Sequence, residues 1–191
     1  MKPTFSSAPF LYIAFHKPYG VLSQFTPEDG ARSLAEFGLP PDIYPAGRLD
    51  KDSEGLLLLT NDGPLISRLL EPKHDKQKIY WVQVERIPND ESLAKLKAGV
   101  KIQDYQTLPC EAELIQAPDL PPREPPIRVR QTVPDCWIEV KLKEGKNRQV
   151  RRMTAAIGHP TLRLIRIGIG KLRLGELKPG QWKEVTREDL I

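Results

Sequence analysis

GRLDKDSEGLLLLTNDG, residues 47–63, is the stretch on which the reading of this chain turns. Its second half is the run Leu56–Leu59, closed by Thr60 and the turn signal Asn61-Asp62-Gly63. A short unbroken apolar run bounded by turn residues reads as a buried strand. The first half mixes signs: Asp50, Asp52 and Glu54, with Asp62 further on, stand beside Arg48 and Lys51. Three chemistries fit. One carboxylate can act as a nucleophile held by a basic neighbour. Several can share a divalent metal. All can be surface charges at the mouth of a buried strand. On a continuous strand Asp50, Asp52 and Glu54 would share a face, which favours metal. Spacing alone does not separate the three.

Outward from this stretch, the chain alternates strands and short helices. FLYIAF (10–15) reads as a buried strand, stopped by Pro18 and Gly20 of HKPYG. SLAEFG (33–38) has Ser33 and Glu36 at capping-box spacing and Gly38 as a stop. PLISRLLE (64–71) reads as a helix with Pro64 in its first turn, and IYWVQVE (79–85) as a strand. DESLAKLKAG (90–99) reads as a helix capped by Asp90, with Leu93 and Leu96 inward and Gly99 as its end. Five prolines in APDLPPREPP (117–126) exclude a helix or central strand there. Ile138, Val140 and Leu142 alternate with charged residues, as on a half-exposed strand. A helix is expected from Asn147 as cap to Gly158, then a strand at Leu162–Ile167. The mixture lacks a βαβ rhythm, so an α+β fold is expected, with a largely antiparallel mixed sheet and flanking helices.

Composition narrows the function. The 191 residues are 39% hydrophobic and 28% charged, a globular balance. No apolar run approaches the ~20 residues of a membrane span, and MKPTFSSAPF does not read as a signal peptide. Cys110 and Cys136 are isolated, which suggests a reduced cytoplasmic protein without a zinc site. Charge is unevenly placed. Between Lys141 and Arg173 ten basic residues face one acid, Glu144, giving +9, against +4 for the whole chain and therefore −5 for the remainder. A segment of that kind suits a polyanion, because each neutralised phosphate releases counterions. Within it, at ~100° per residue, Arg148, Arg151 and Arg152 fall on one side of the expected helix and Val150, Met153 and Ile157 on the other. Guanidinium groups fork onto phosphates, so the arginine side is a candidate RNA face.

GRLDKDSEGLLLLTNDG resembles the signature of the RsuA-type branch of pseudouridine synthases, in which the Asp of GRLD is catalytic. KIYWVQV (78–84), EGKNRQVRRM (144–153), TLRLIRIGIG (161–170) with LKPGQWKEV (177–185), and the opening HKPYGVLSQF (16–25) resemble further segments of that family in the family's order. Together they span about residues 11 to 186. QFTPEDG (24–30) and PREPPIR (122–128) resemble members acting on large-subunit (23S) ribosomal RNA. His16 departs from the pattern, standing where Asn is usual before Lys-Pro.

The resemblance implies a pseudouridine synthase fold, uridine isomerisation in rRNA, and no metal or other cofactor. It implies Asp50 as nucleophile, Arg151 as its basic partner, and Tyr80 stacking on the extruded uracil. Arg48 would hold the flipped nucleotide and Leu164 would wall the other side of the pocket. Lys146, Arg148, Arg152, Arg163 and Arg166 would contact the RNA backbone, while Asp52, Glu54 and Asp62 would be structural. Residues 1–9 are expected as a short tail. Residues 10–191 are expected as one catalytic domain of two tightly joined subdomains, without a separate N-terminal RNA-binding domain. It would act as a monomer on rRNA, away from membranes. A non-catalytic RNA-binding or ribosome-assembly protein on the same fold is the competing reading, and a metal-dependent nuclease a third.

Overall fold

The computed structural model describes residues 9–70, 77–127, 130 and 132–190. Residues 1–8 of the expected tail and Glu71 of the expected helix lie outside them. The strands are β1 (Tyr12–Lys17), β2 (Tyr44–Pro45), β3 (Glu54–Thr60), β4 (Lys78–Glu85), β5 (Lys101–Ile102), β6 (Tyr105–Gln106), β7 (Glu111–Ile115), β8 (Asp135–Leu142), β9 (Thr161–Ile169), β10 (Leu172–Arg173) and β11 (Trp182–Glu184). The helices are α1 (Gly63–Leu70), α2 (Asp90–Ala98) and α3 (Gln149–Ala156), with a 3-10 turn at Leu34–Phe37. Among the described residues one nine-stranded sheet runs β11-β1-β3-β9-β4-β8-β7, with β10 added to β9 and β2 to β3. Its pairings are antiparallel except β3 with β9.

β3 lies inside this sheet and all seven of its residues are buried. Leu57 and Leu59 pack with Ile13, Phe15, Val21 and Leu34, whereas Leu56 and Leu58 pack with Tyr12, Ala14, Ile165 and Ile169. The leucine run is therefore covered on both faces. At about 2 kcal/mol per fully buried Leu it is a large apolar contribution. β3 meets β9 through Glu54↔Ile165 and Gly55↔Arg166. Gly55 has φ +101°, and a Cβ there would overlap the Arg166 carbonyl oxygen. Only glycine permits this approach.

Local chemistry set most element ends as expected. Ser33 and Glu36 form the full capping box, and Gly38 closes the turn in the left-handed region. Asp62 accepts Leu65 N–H at 3.0 Å and Tyr12 Oη–H at 2.9 Å, so it starts α1 and ties it to β1. Two helix starts differ. Asn89, not Asp90, caps α2, because Asn89 is the extended residue whose Oδ1 accepts Ser92 N–H at 2.9 Å. α3 begins at Gln149, not after Asn147. The Gln149 amide takes Lys146 N–H at 2.8 Å and donates to Glu144, which holds residues 144–148 as a turn. Arg148, at φ +51°, completes that turn. As expected, Val150 and Met153 are buried.

Candidate active site

A cavity of about 510 Å³ opens where the turn before β3, the start of β4, the 144–150 segment and β9 converge. That is the size range of small-ligand pockets. Asp50 stands in the turn preceding β3, with Ser53 N–H donating to Asp50 O at 3.0 Å. The turn is bolted from two sides. Ser23 Oγ donates to Leu49 O at 2.7 Å and accepts Leu49 N–H at 3.1 Å. Opposite, Gly20 N–H reaches Lys51 O at 2.8 Å. Lys17, wholly buried, gives its ammonium to Val21 O at 2.7 Å, Pro18 O at 3.0 Å and Lys51 O at 3.4 Å. Burial pushes the Lys17 pKa down to about 7, against the pull of Glu54, Asp52 and Asp50. The nucleophile candidate is thus held on a rigid turn.

This geometry corrects the metal-favouring alternation. Asp50 and Asp52 precede β3 in a turn, so the three acids do not line one strand face. Glu54 is buried against Arg163, and Asp62 is engaged by Tyr12 and Leu65. Among the described residues no group of three or more His, Cys, Asp or Glu is placed to hold a metal ion. Both cysteines are free thiols. Burial raises both thiol pKa values, Cys110 to about 11.

Tyr80 and Leu164 both line the cavity and are nearly buried, from neighbouring strands β4 and β9. A register shift between Ile79 and Tyr80 interrupts the β4–β9 ladder here, the kind of irregularity that re-aims a side chain. Arg48, Lys146 and Arg148 lie exposed at the same cavity. The Lys146 ammonium stands 4.6 Å from the centre of the Tyr105 ring. Arg152 is in an adjoining hollow, donating to Gln103 Oε1 at 2.8 Å and Asn147 Oδ1 at 2.9 Å.

Among the described residues Asp50 pairs with Arg148, at 3.7 Å (Nη1 to Oδ2). Arg148 is itself forked onto Asp52, at 2.8 and 2.7 Å. Arg151 sits deeper, its Nε 3.4 Å from Asp52 Oδ2 and its Nη2 bonded to Asp52 O. Both arginines therefore converge on Asp52, so two of the three residues of the expected arginine face are paired with an acid from outside the helix. Burial works against the Asp52 charge, but the Arg148 hydrogen bonds and the two guanidinium charges hold its carboxyl below the usual range.

Two expected RNA contacts are corrected. Arg163 is buried, with Nε and Nη2 on Glu54 at 2.9 and 2.8 Å and Nη1 on Pro121 O at 3.0 Å, so no phosphate reaches it. Arg166 is 2% exposed and bonds Leu56 O and Gly47 O, at 2.8 and 3.0 Å. It floors the cavity and fastens the Asp50 turn to β9, so it is no surface phosphate contact. Alternation on β9 explains the split: Leu164 and Arg166 point to the cavity, and Arg163 points to the other face.

Sequence reasoning missed Lys17, Ser23, Lys78, Glu144 and Gln149. Lys78 is nearly buried at the cavity, its pKa lowered by burial and by Arg166, with Glu144 opposing. Glu144 accepts from Tyr105 Oη at 2.6 Å and Leu108 N at 2.8 Å, and also from Gln149. A charged residue within an apolar strand, as in YIAFHK and KIYWVQV, was the available signal for Lys17 and Lys78.

Residues 11–156 match the family of RNA pseudouridylate synthases, and this chain belongs to that family. It is 56% identical, over 91% of its length and 94% of the relative's, to ribosomal large subunit pseudouridine synthase E of Xanthomonas campestris pv. campestris. It is 50% identical to the protein of that name from Vibrio vulnificus, over 97% of this chain and 79% of that one. A crystal structure of a pseudouridylate synthase superposes with a TM-score of 0.79 at 27% identity, covering 96% of this chain and 74% of that chain. The expected α+β pseudouridine synthase fold is the one observed.

Proposed function

We propose that this protein isomerises a uridine of large-subunit ribosomal RNA to pseudouridine, with Asp50 as nucleophile. The observation that carries the reading is Asp50 on a bolted turn at the mouth of a cavity walled by Tyr80 and Leu164 and rimmed by Arg48, Lys146 and Arg148. The names of its 50–57% identical relatives support the large-subunit substrate. A uridine inside a helix is out of reach, so it must leave its stack, at a cost of a few kcal/mol. Tyr80 stacks on the extruded base, and the rim cations offset the cost through the phosphates. The Asp50 carboxylate attacks C6 or C1′. The C1′–N1 bond breaks, the uracil turns, a C1′–C5 bond forms, and C5 loses its proton while N1 gains one. A carboxylate serves as both nucleophile and leaving group. Arg148 stands 3.7 Å from the Asp50 carboxylate, and Arg151 lies behind it on Asp52. All these groups come from one chain, so the same reading has the protein working as a monomer, and a ribosomal RNA substrate puts it in the cytoplasm.

Tritium release from 5-tritiated uridine in large-subunit rRNA tests this, without added metal. Release by the wild type and none by Asp50→Asn is the expected result. Release surviving Asp50→Asn would move the nucleophile elsewhere, and a wild type that binds rRNA but releases nothing would leave a non-catalytic RNA-binding protein.

A further inference from the structure

We propose that Asp52 is a positioning residue for the reaction: it captures the Arg148 guanidinium and so keeps Asp50 free to attack. The inference rests on the function proposed above. Two carboxylates, Asp50 and Asp52, compete for one guanidinium. A forked pair satisfies one carboxylate at a time, and Asp52 holds the fork at 2.8 and 2.7 Å while Asp50 stays at 3.7 Å. At that distance Asp50 feels the positive charge yet has no short hydrogen bond to Arg148 to break before its oxygen attacks. Were Arg148 forked onto Asp50 instead, the nucleophile's lone pairs would be engaged.

Asp52 is suited to the task because it is anchored from behind. Arg151, on the first turn of α3, bonds the Asp52 backbone carbonyl and stands 3.4 Å from its carboxylate. Asp52 therefore cannot follow Arg148 when that side chain moves. Arg148 has the freedom to move, since it ends an exposed turn ahead of α3 and its side chain is 41% exposed. An incoming phosphate can draw on it without disturbing Arg151. A pair this exposed contributes little to stability, so the role of Asp52 is legible in rate more than in folding.

The test compares single-turnover rates at saturating rRNA fragment for the wild type, Asp52→Asn, Asp52→Glu, Asp52→Asn/Arg148→Met and Asp50→Asn, each with its thermal midpoint. Asp52→Asn is expected to lower the saturated rate at least about tenfold, as misplacement of reacting groups does, with a midpoint close to wild type. Asp52→Glu, which keeps the carboxylate, is expected to retain more rate than Asp52→Asn. Removing Arg148 in the Asp52→Asn background is expected to recover part of the rate while raising KM, because the locking group is gone along with a phosphate contact. A wild-type rate in Asp52→Asn overturns the proposal, as does a double variant slower than Asp52→Asn. So does collapse of the fold in both Asp52→Asn and Asp52→Glu, which would make Asp52 an anchor. A wild type without turnover defeats the proposed function itself, whereas an active wild type matched by Asp52→Asn defeats only this inference.

Discussion

Arg163 and Glu54 form a two-pronged ion pair inside the sheet, at 2.9 and 2.8 Å, with side chains only 6% and 3% exposed. It joins β9 to the first residue of β3, directly after the turn that carries Asp50. Removing one partner leaves a buried charge without its counter-charge, which costs about 3–5 kcal/mol. Glu54→Gln and Arg163→Met are each expected to lose stability on that scale in urea unfolding. Glu54→Leu/Arg163→Met together are expected to lie closer to wild type than either single change, because no charge is left stranded.

At Gly55 the strands approach too closely for any side chain, and φ is +101°. Gly55→Ala is expected to cost more than about 3 kcal/mol, since both strain and overlap with Arg166 backbone must be relieved. Gly168 provides the contrast. A Cβ there would meet side-chain atoms of Arg173 and Ile79 at 3.2 Å, and those can shift. Thermal unfolding followed by circular dichroism should rank Gly55→Ala well below Gly168→Ala.

His16 is 3% exposed, and its Nδ1 lies 2.7 Å from Leu177 O. Burial lowers its pKa from 6.5, against the Leu177 bond and Glu54, with Arg163 and Lys17 adding to the lowering. The folded protein thus binds the proton less readily than the unfolded chain. The stability this confers is fully present above pH 6.5 and is lost as pH falls from there through the lowered value. Urea midpoints between pH 7.5 and 5 should fall in the wild type and fall less in His16→Asn.

Arg152 faces an adjoining hollow and bonds only neutral groups, Gln103 and Asn147, in the hydrogen bonds described. Arg152→Ala is expected to weaken rRNA binding and to reduce the slope of log K against log salt by about 0.7–0.9, the share of one phosphate contact. An unchanged slope would remove Arg152 from the RNA face.

Much of the fold was legible in local sequence because local physics decides it. Four leucines between turn residues read as a buried strand, which the fold covers on both faces, and the Ser33–Glu36 spacing marked the start of a short helical turn. Asp50 and Tyr80 were reached through motif resemblance and do share one cavity. Asp52 was not legible as part of the site, because its partner Arg148 lies 96 residues away. Arg163 and Arg166 read as surface charges because the groups that bury them, Glu54 and Pro121 for one and Leu56 and Gly47 for the other, lie 42 to 119 residues away, outside any window around LRLIRI. The α3 start was misplaced for a similar reason. Gln149 closes the preceding turn with its side chain, something helical periodicity does not register.

The separation between the Asp50 turn and its arginines also has a consequence for synthesis. A chain growing at about 5–20 residues per second exposes Asp50 and Asp52 roughly 5–20 s before Arg148 exists. During that interval the nascent chain carries Asp50 without Arg148 and Arg151, without the β9 strand that Arg166 uses to hold the turn, and without a walled cavity. The cavity wall and the guanidinium groups around Asp50 and Asp52 are thus completed only by the last third of the chain.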